Sequence, residues 1–300
     1  MSFVQTAYRL ALATSTIIPD IDADDAHLAI SLKRLGVEPI ACIWNDPAID
    51  WSRFDAVLIR TTWDYFKHYA AFRQWLDRLP IPTINSQRVL HWNSDKRYLL
   101  QLEQQGIAII PTRITAAQNL SDTLAALTAR EVVVKPTVSG GAWHTLRGTL
   151  GDAAFEQAVT QLPQELDYMV QPFVPEVVDN GEWSLLFFDG QYSHAVLKRA
   201  ATGDYRVQGM FGGSSEAIEP SAAIIASAQR ALAAVATVGH PDHAYVRVDG
   251  VVVDDHFVLM ELEMIEPLLF LAERPDAAER FAGNLRRRLD VLRGREPFAS

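Results

Sequence analysis

The chain has 300 residues, 49% hydrophobic and 21% charged, which excludes a disordered, collagen-like or coiled-coil chain and suggests about two domains at ~150 residues each. Its 27 Lys+Arg against 37 Asp+Glu give a net charge of −10, which argues against a nucleic-acid partner but leaves room for a local basic pocket holding a small phosphate compound. The single cysteine, Cys42, excludes an intrachain disulfide or a cysteine zinc site and fits a reducing cytoplasm.

In chain order, residues 8–13 read as a buried strand. The apolar stretch after Arg9 is too short for an export signal, and no apolar run reaches the ~18 residues a membrane helix needs, so no membrane partner is expected. A polar loop over 14–22 leads to a helix over 24–35, with Asp24 and Asp25 in its first turn and Gly36 as its stop. Segments 37–44 and 54–61 read as buried strands, 69–79 as a helix and 82–85 as a short strand. This βαβ rhythm predicts a small parallel sheet covered by helices. A helix over 94–105 and a strand over 107–110 follow. Then come strands over 132–136 and 144–149 around a Gly loop, a helix over 152–161 and a strand over 168–173. The last third opens with a hairpin, 183–188 and 192–198, around Asp189-Gly190. A Gly-rich loop (203–215), an Ala-rich helix (221–238), a second hairpin (245–253 and 257–264) and a helical tail complete it. Arg286, Arg287 and Arg288 in that tail read as a solvated face.

Walker, Rossmann, zincin and α/β-hydrolase motifs are all missing from the sequence. The second hairpin carries the strongest signal. Glu261 and Glu263, at i and i+2, share one strand face, with Met260 and Leu262 on the other. Asp249 on the neighbouring strand can join them. Three converging carboxylates repel one another unless neutralised, and Mg²⁺ shared with phosphate oxygens is the simplest neutraliser; a solvent-facing acidic surface is the alternative. Lys135 ends an apolar strand just before Ser139-Gly140-Gly141. Backbone N–H groups of such a loop can cradle phosphate while the lysine adds a point charge, or the lysine snorkels at a strand end. Lys96 alone suits the surface as readily as a ligand. Arg60, Trp63, Asp64 and Tyr65 follow a strand of the first sheet, where parallel sheets place ligands. An Arg–Asp–aromatic group suits a zwitterionic amino acid; alternatively the aromatics cap the core and Arg60 pairs with Asp64.

Asp95-Lys96, Val134-Lys135-Pro136, Gln171-Pro172-Phe173-Val174, Gly181-Glu182, Lys198-Arg199, Gly203-Asp204-Tyr205-Arg206 and Asp249 with Glu261-x-Glu263, in this order, resemble the ATP-grasp superfamily over residues 93–266. The chain is most similar to the branch holding glutathione synthetase and the ribosomal-protein glutamate ligase. Within it, Arg60-Thr61-Thr62-Trp63-Asp64-Tyr65, His91-Trp92-Asn93 and residues 261–267 resemble the cyclo-ligases that make D-cycloserine from O-ureido-D-serine. The resemblance implies an α/β (α+β) ATP-grasp fold. Its parts are an N-terminal parallel α/β substrate domain (1–92), a lid or central subdomain (93–172) and a C-terminal antiparallel catalytic domain (173–300), with residues 112–168 closing as a lid. It implies an ADP-forming C–N ligase of antibiotic biosynthesis, working through an acylphosphate with ATP and two Mg²⁺ ions on a small amino-acid-like substrate. A cytoplasmic homo-oligomer is expected. An intermolecular amino-acid or peptide ligase and an inactive nucleotide-binding regulator are the alternatives.

The implied roles are specific. Lys96 and Lys135 hold the ATP α- and β-phosphates, under a loop of Ser139, Gly140 and Gly141. Gln171, Phe173 and Val174 form the hinge beside adenine. Glu182 takes the ribose, unless it is merely an exposed strand-end acid, and Lys198 also belongs to the ATP site. Arg199 and Arg206 are the catalytic cations for the transferred phosphate and the tetrahedral oxyanion. Asp249, Glu261 and Glu263 bind the metals, and Arg60, Trp63, Asp64 and Tyr65 the substrate. Two positions depart from the family: Glu263 stands where Asn is usual, and Ser184 where glutathione synthetase has a substrate-binding arginine, which weakens glutathione synthesis as the activity.

Overall fold

The computed structural model describes residues 7–274 and 276–294; the outer ends of the first and third expected domains, 1–6 and 295–300, lie outside these residues. The first sheet forms from β1 (Tyr8–Thr14), β2 (Val37–Ile43), β3 (Ala56–Ile59) and β4 (Thr83–Ile84), all parallel, in the order β2-β1-β3-β4. β1 is buried at every position but one, as a central parallel strand covered on both faces should be. Helices α1 (Ala23–Arg34) and α2 (Tyr69–Arg78) connect the strands. Asp22 caps α1 by accepting from the Asp25 N–H at 2.7 Å.

The helix expected over 94–105 is preceded by a separate one not expected from the sequence, α3 (Gln87–Asn93), and forms only from residue 98, as α4 (Tyr98–Gln104). The break between them lets the Lys96 N–H bond Thr137 O at 2.8 Å, tying this segment to the second sheet. The strand expected over 107–110 is an isolated bridge, Ile109 to Leu259.

The second sheet comprises β5 (Arg113–Ala116), β6 (Glu131–Pro136), β7 (Leu146–Thr149) and β8 (Asp167–Pro172), antiparallel in the order β5-β8-β6-β7, with α5 (Leu120–Ala125) and α6 (Ala153–Thr160) packed on it. After the single turn α7 (Glu176–Asp179) comes the third sheet. It is built of β9 (Glu182–Phe188), β10 (Gln191–Arg199), β11 (Ser214–Ala217), β12 (Tyr245–Val253) and β13 (His256–Glu263), in the antiparallel order β11-β10-β9-β12-β13. Helices α8 (Ala222–Thr237) and α9 (Ala277–Leu292) flank it. One apolar cluster joins Tyr8, Leu10 and Leu28 of the first unit to Phe188, Tyr245, Phe281 and Leu285 of the last. The first and third sheets therefore share a core. No helix among the described residues is long and apolar enough to cross a membrane.

His194 on β10 is buried in this region. Its Nε2 lies 3.0 and 3.1 Å from the carbonyls of Leu269 and Phe270, and its Nδ1 2.9 Å from Ser193 Oγ. The fitting form is the neutral ring, with Nε2–H donating to the carbonyls and Nδ1 accepting from Ser193. Burial pushes its pKa down from 6.5 to about 4. An unfolded chain then binds a proton below pH 6.5 that the folded chain refuses, so stability falls as pH drops from 6.5 through 4. The loss is at most about 3 kcal/mol. Urea unfolding of His194→Gln should show a flatter pH dependence over this range than the parent; identical slopes would assign the acid sensitivity elsewhere.

A candidate nucleotide and metal site

The pocket lies between the second and third sheets. Its apolar end is lined by Ile110, Val133, Phe173, Val174, Val177 and Met260. Its charged end is lined by Lys96, Lys135, Lys198, Arg206, Arg247, Asp249, Glu261 and Glu263. Ser139, Gly140, Gly141, Gln171 and Glu182 also line it. The structure thus brings together fourteen of the residues that sequence spacing and family resemblance single out.

The acidic strand pair has the expected register, with Asp249 opposite Glu261. It also has a feature the sequence did not announce. The register slips between Asp249 and Gly250, because Gly250 faces Leu259. Met260 is the extra residue of this bulge, and it lines the pocket rather than sharing the opposite face with Leu262. A bulge bends its strand and re-aims side chains next to a site. Gly250 is required here, since a Cβ would stand 2.4 Å from the Phe257 ring and 2.6 Å from Val258 O.

Arg247 went unnoticed in the sequence, although Arg247-x-Asp249 carries the same i, i+2 signal as Glu261-x-Glu263. Its guanidinium grips Asp249 with Nε at 3.0 and 3.1 Å and Nη2 at 2.9 Å, and it also pairs with Glu263. Ser184 Oγ donates to Asp249 at 2.5 Å, and Lys198 Nζ lies 3.6 Å away. Burial opposes ionisation of Asp249, but Arg247 and Lys198 outweigh it and hold the carboxyl at about 2. At Glu263 burial wins over Arg247 and pushes the carboxyl up to about 7. Lys198 Nζ pairs with Glu182 at 2.5 Å, so the acid assigned to ribose is engaged by a lysine.

Lys96 Nζ donates to Ser139 O at 2.6 Å and lies 3.1 Å from Glu261. Lys135 differs from the other lysines of the pocket. It has no ion pair or hydrogen-bond partner among the described residues, and burial pushes its pKa below the ordinary lysine range. A desolvated ammonium without a partner is costly, and the missing counter-charge fits a phosphate. Above it the loop curls sharply, with positive φ at Gly141 (55°), Ala142 (60°) and His144 (51°). Turns that mix right- and left-handed residues can gather N–H groups into an anion-holding concavity; here the Trp143 and Thr145 N–H groups are already bonded to Gly140 O and Ala142 O at 3.0 and 3.1 Å, which shapes the turn. Gly140 packs so closely that a Cβ would stand 2.8 Å from the Phe66 ring.

Arg199 does not join the site. Neighbouring strand residues face opposite ways, so the turn that aims Lys198 inward leaves Arg199 exposed, with Nη1 3.5 Å from Asn180 O. Arg247 is the inward guanidinium instead. Arg206 lines the pocket, held by Asp204 at 2.7 Å over the Phe211 ring.

The 60–65 strip also sits elsewhere than expected. Arg60 is 3% exposed and pairs with Asp25 at 2.8 Å, not with Asp64, and its Nη2 donates to Pro267 O at 2.9 Å. Asp64 accepts from Trp44 Nε1 at 2.8 Å, and Trp63 Nε1 donates to Glu266 O at 3.1 Å. Tyr65 is buried against Phe66 and Phe72. Its phenol is pushed well above its ordinary pKa by burial and then by Glu266, Glu261 and Glu263. These side chains tie the first sheet to the segment after the acidic strand. None of the four lines the pocket.

No three His, Cys, Asp or Glu side chains among the described residues form a ready-made metal cage. Asp249 and Glu263 share Arg247, while Glu261 pairs with Lys96. Mg²⁺ needs only one or two carboxylates when phosphates complete its shell, and Asp249 beside Glu261 offers such a pair.

Comparison with known proteins adds the family. The model of the N-terminal domain of D-cycloserine synthetase DcsG matches residues 10–85. The cycloserine biosynthesis protein DcsG of Streptomyces lavendulae is 34% identical over 297 residues, 93% of this chain and 98% of that protein. The crystal structure of D-cycloserine synthetase DcsG superposes with a TM-score of 0.84, covering 94% of this chain and 99% of that one at 34% identity. D-alanine–D-alanine ligase from Bacillus anthracis, complexed with ATP, shares the fold: TM-score 0.69, 17% identity, 96% and 99% coverage.

Proposed function

We propose a substrate and a division of labour on the premise that the chain belongs to the DcsG family of ATP-grasp ligases. As such it is an ATP-dependent carboxylate–amine ligase, an activity that uses ATP with Mg²⁺. The proposed substrate is a small amino-acid derivative of the O-ureido-D-serine type, closed on itself to a ring by an acylphosphate route in the cytoplasm. The 34% identity with a cycloserine biosynthesis protein, extending over 93% of this chain and 98% of that one, is the observation that carries this reading.

Residues 1–92 would supply the substrate wall, 93–172 the lid and 173–300 the catalytic sheet. In the pocket, the apolar end suits a purine. Lys96, Lys135 and the Ser139–Gly141 turn would hold the phosphates. Asp249, Glu261 and Glu263 would share two Mg²⁺ ions, which supply charge neutralisation to the phosphates. The substrate carboxylate attacks the γ-phosphorus, giving an acylphosphate and ADP; an internal N–H nitrogen then attacks the carbonyl, and the C–O bond breaks as phosphate leaves and takes up the nitrogen's proton. Arg247 and Arg206, which line the pocket, would supply positive charge toward the negative charge that develops on the carbonyl and phosphoryl oxygens. A lid closed by Gly140 against Phe66 keeps water from the acylphosphate.

ADP release, screened over D- and L-amino-acid derivatives with mass spectrometry of the product, tests the substrate. The expected result is release with O-ureido-D-serine alone, without a second amine, and a cyclic product. Release that needs a second amine would make this an intermolecular ligase instead.

A further inference from the structure

We infer that Asn93 and Tyr98 are positioning residues for the metal-binding acids, because they hydrogen-bond the free edge of β13 on either side of Glu263. The inference rests on the metal role proposed for Glu261 and Glu263. β13 is the edge strand of the third sheet, so one row of its N–H and C=O groups has no strand to pair with. Buried backbone groups of that kind need partners from elsewhere.

Tyr98 OH accepts from the Leu262 N–H at 2.7 Å and lies 3.0 Å from Leu262 O as its donor. Asn93 Nδ2 donates to the same carbonyl at 2.9 Å, and its Oδ1 accepts from the Met264 N–H at 2.8 Å. Two side chains thus stand in for a sixth strand over the residues where the acids sit. Asn93, Tyr98 and Leu262 are all buried, so water is a poor substitute. Further contacts flank the clamp: Ile109 bridges Leu259 before Glu261, and Asn85 Nδ2 donates to Met264 O at 2.9 Å after Glu263.

The geometry couples to the acids directly. Leu262 lies between Glu261 and Glu263, so fixing both of its polar groups fixes the direction in which its neighbours project. The same short segment carries Lys96, which reaches Glu261 from the pocket side at 3.1 Å. Residues 93–98 therefore hold the acidic strand from its edge and from its face. Hydrogen bonds that orient metal ligands typically alter metal affinity by ~10–100-fold when removed.

The test is Mn²⁺ binding in the presence of ADP, followed by the electron paramagnetic resonance signal of free Mn²⁺. Tyr98→Phe keeps the ring and removes only the hydroxyl, so the fold should survive; Asn93→Ala removes the other clamp. Mn²⁺ affinity should fall on the order of tenfold in each, with a smaller loss of metal-free ADP affinity, since Lys96 on the same segment keeps its own backbone tie, its N–H donating to Thr137 O at 2.8 Å. Unchanged Mn²⁺ affinity in folded Tyr98→Phe overturns the inference. Parallel losses of Mn²⁺ and metal-free ADP affinity also overturn it, because they report general loosening. Parent protein that binds ADP but no Mn²⁺ would defeat the metal assignment itself, and this inference with it.

Discussion

Lys135→Met is expected to weaken ATP binding by about ten- to a hundredfold and, at the same time, to raise the melting temperature of the nucleotide-free protein. The two effects have one cause. In the free protein Lys135 is half-buried without an ion pair, and desolvation pushes its pKa down. Removing the charge while keeping the chain length relieves that penalty. With ATP bound, the same charge would gain a phosphate partner, and a charge-assisted contact is worth roughly 1.5–3 kcal/mol. Calorimetry with ATP and a thermal melt without it read the two arms. Intact ATP affinity would remove Lys135 from the phosphate site. A lowered melting temperature would show that the lysine stabilises the fold instead.

Arg247→Lys should lower kcat on the order of 10²–10³-fold with a smaller loss of stability. Arg247 joins Asp249 to Glu263 through a planar fork. Lysine keeps the positive charge beside both acids, so neither is left unpaired, but it cannot present the fork to two partners together. Arg247→Met, by contrast, strands the buried Asp249 and the half-buried Glu263, and breaking a buried pair costs about 3–5 kcal/mol. Comparing the two separates chemistry from folding. If Arg247→Lys turns over at the parent rate, the guanidinium is structural and Arg206 becomes the remaining candidate for the oxyanion.

Much of this site could be read from the sequence because it depends on short-range periodicity. Asp249, Glu261 and Glu263 share a face by the two-residue repeat of a strand, and the Asp189-Gly190 turn fixes the hairpin beside them. The same rule could have found Arg247, and it could have shown that Lys198 and Arg199 do not both face inward. Other features depend on partners far along the chain. The Met260 bulge is a property of two strands together. Arg60 finds Asp25, 35 residues earlier, and Pro267, 207 residues later. Asn93 and Tyr98 reach Leu262 across 169 and 164 residues. Tertiary pairing of that kind leaves no local pattern, which is why an Arg–Trp–Asp–Tyr strip suited to an amino acid proves to be committed to the protein's own backbone and side chains. The short α3 and β5 were missed for a simpler reason: elements of seven and four residues carry too little periodicity.

The bound carboxylate should be activated by phosphorylation before the C–N bond forms. Transfer of oxygen tests it most directly. The substrate, O-ureido-D-serine or whichever amino-acid derivative elicits ADP release, is labelled with ¹⁸O in both carboxylate oxygens. It is turned over with ATP and Mg²⁺, and the released phosphate is analysed by mass spectrometry. An acylphosphate carries one carboxylate oxygen to phosphorus, so each phosphate should contain a single ¹⁸O. Phosphate free of ¹⁸O, released alongside product, would contradict the account.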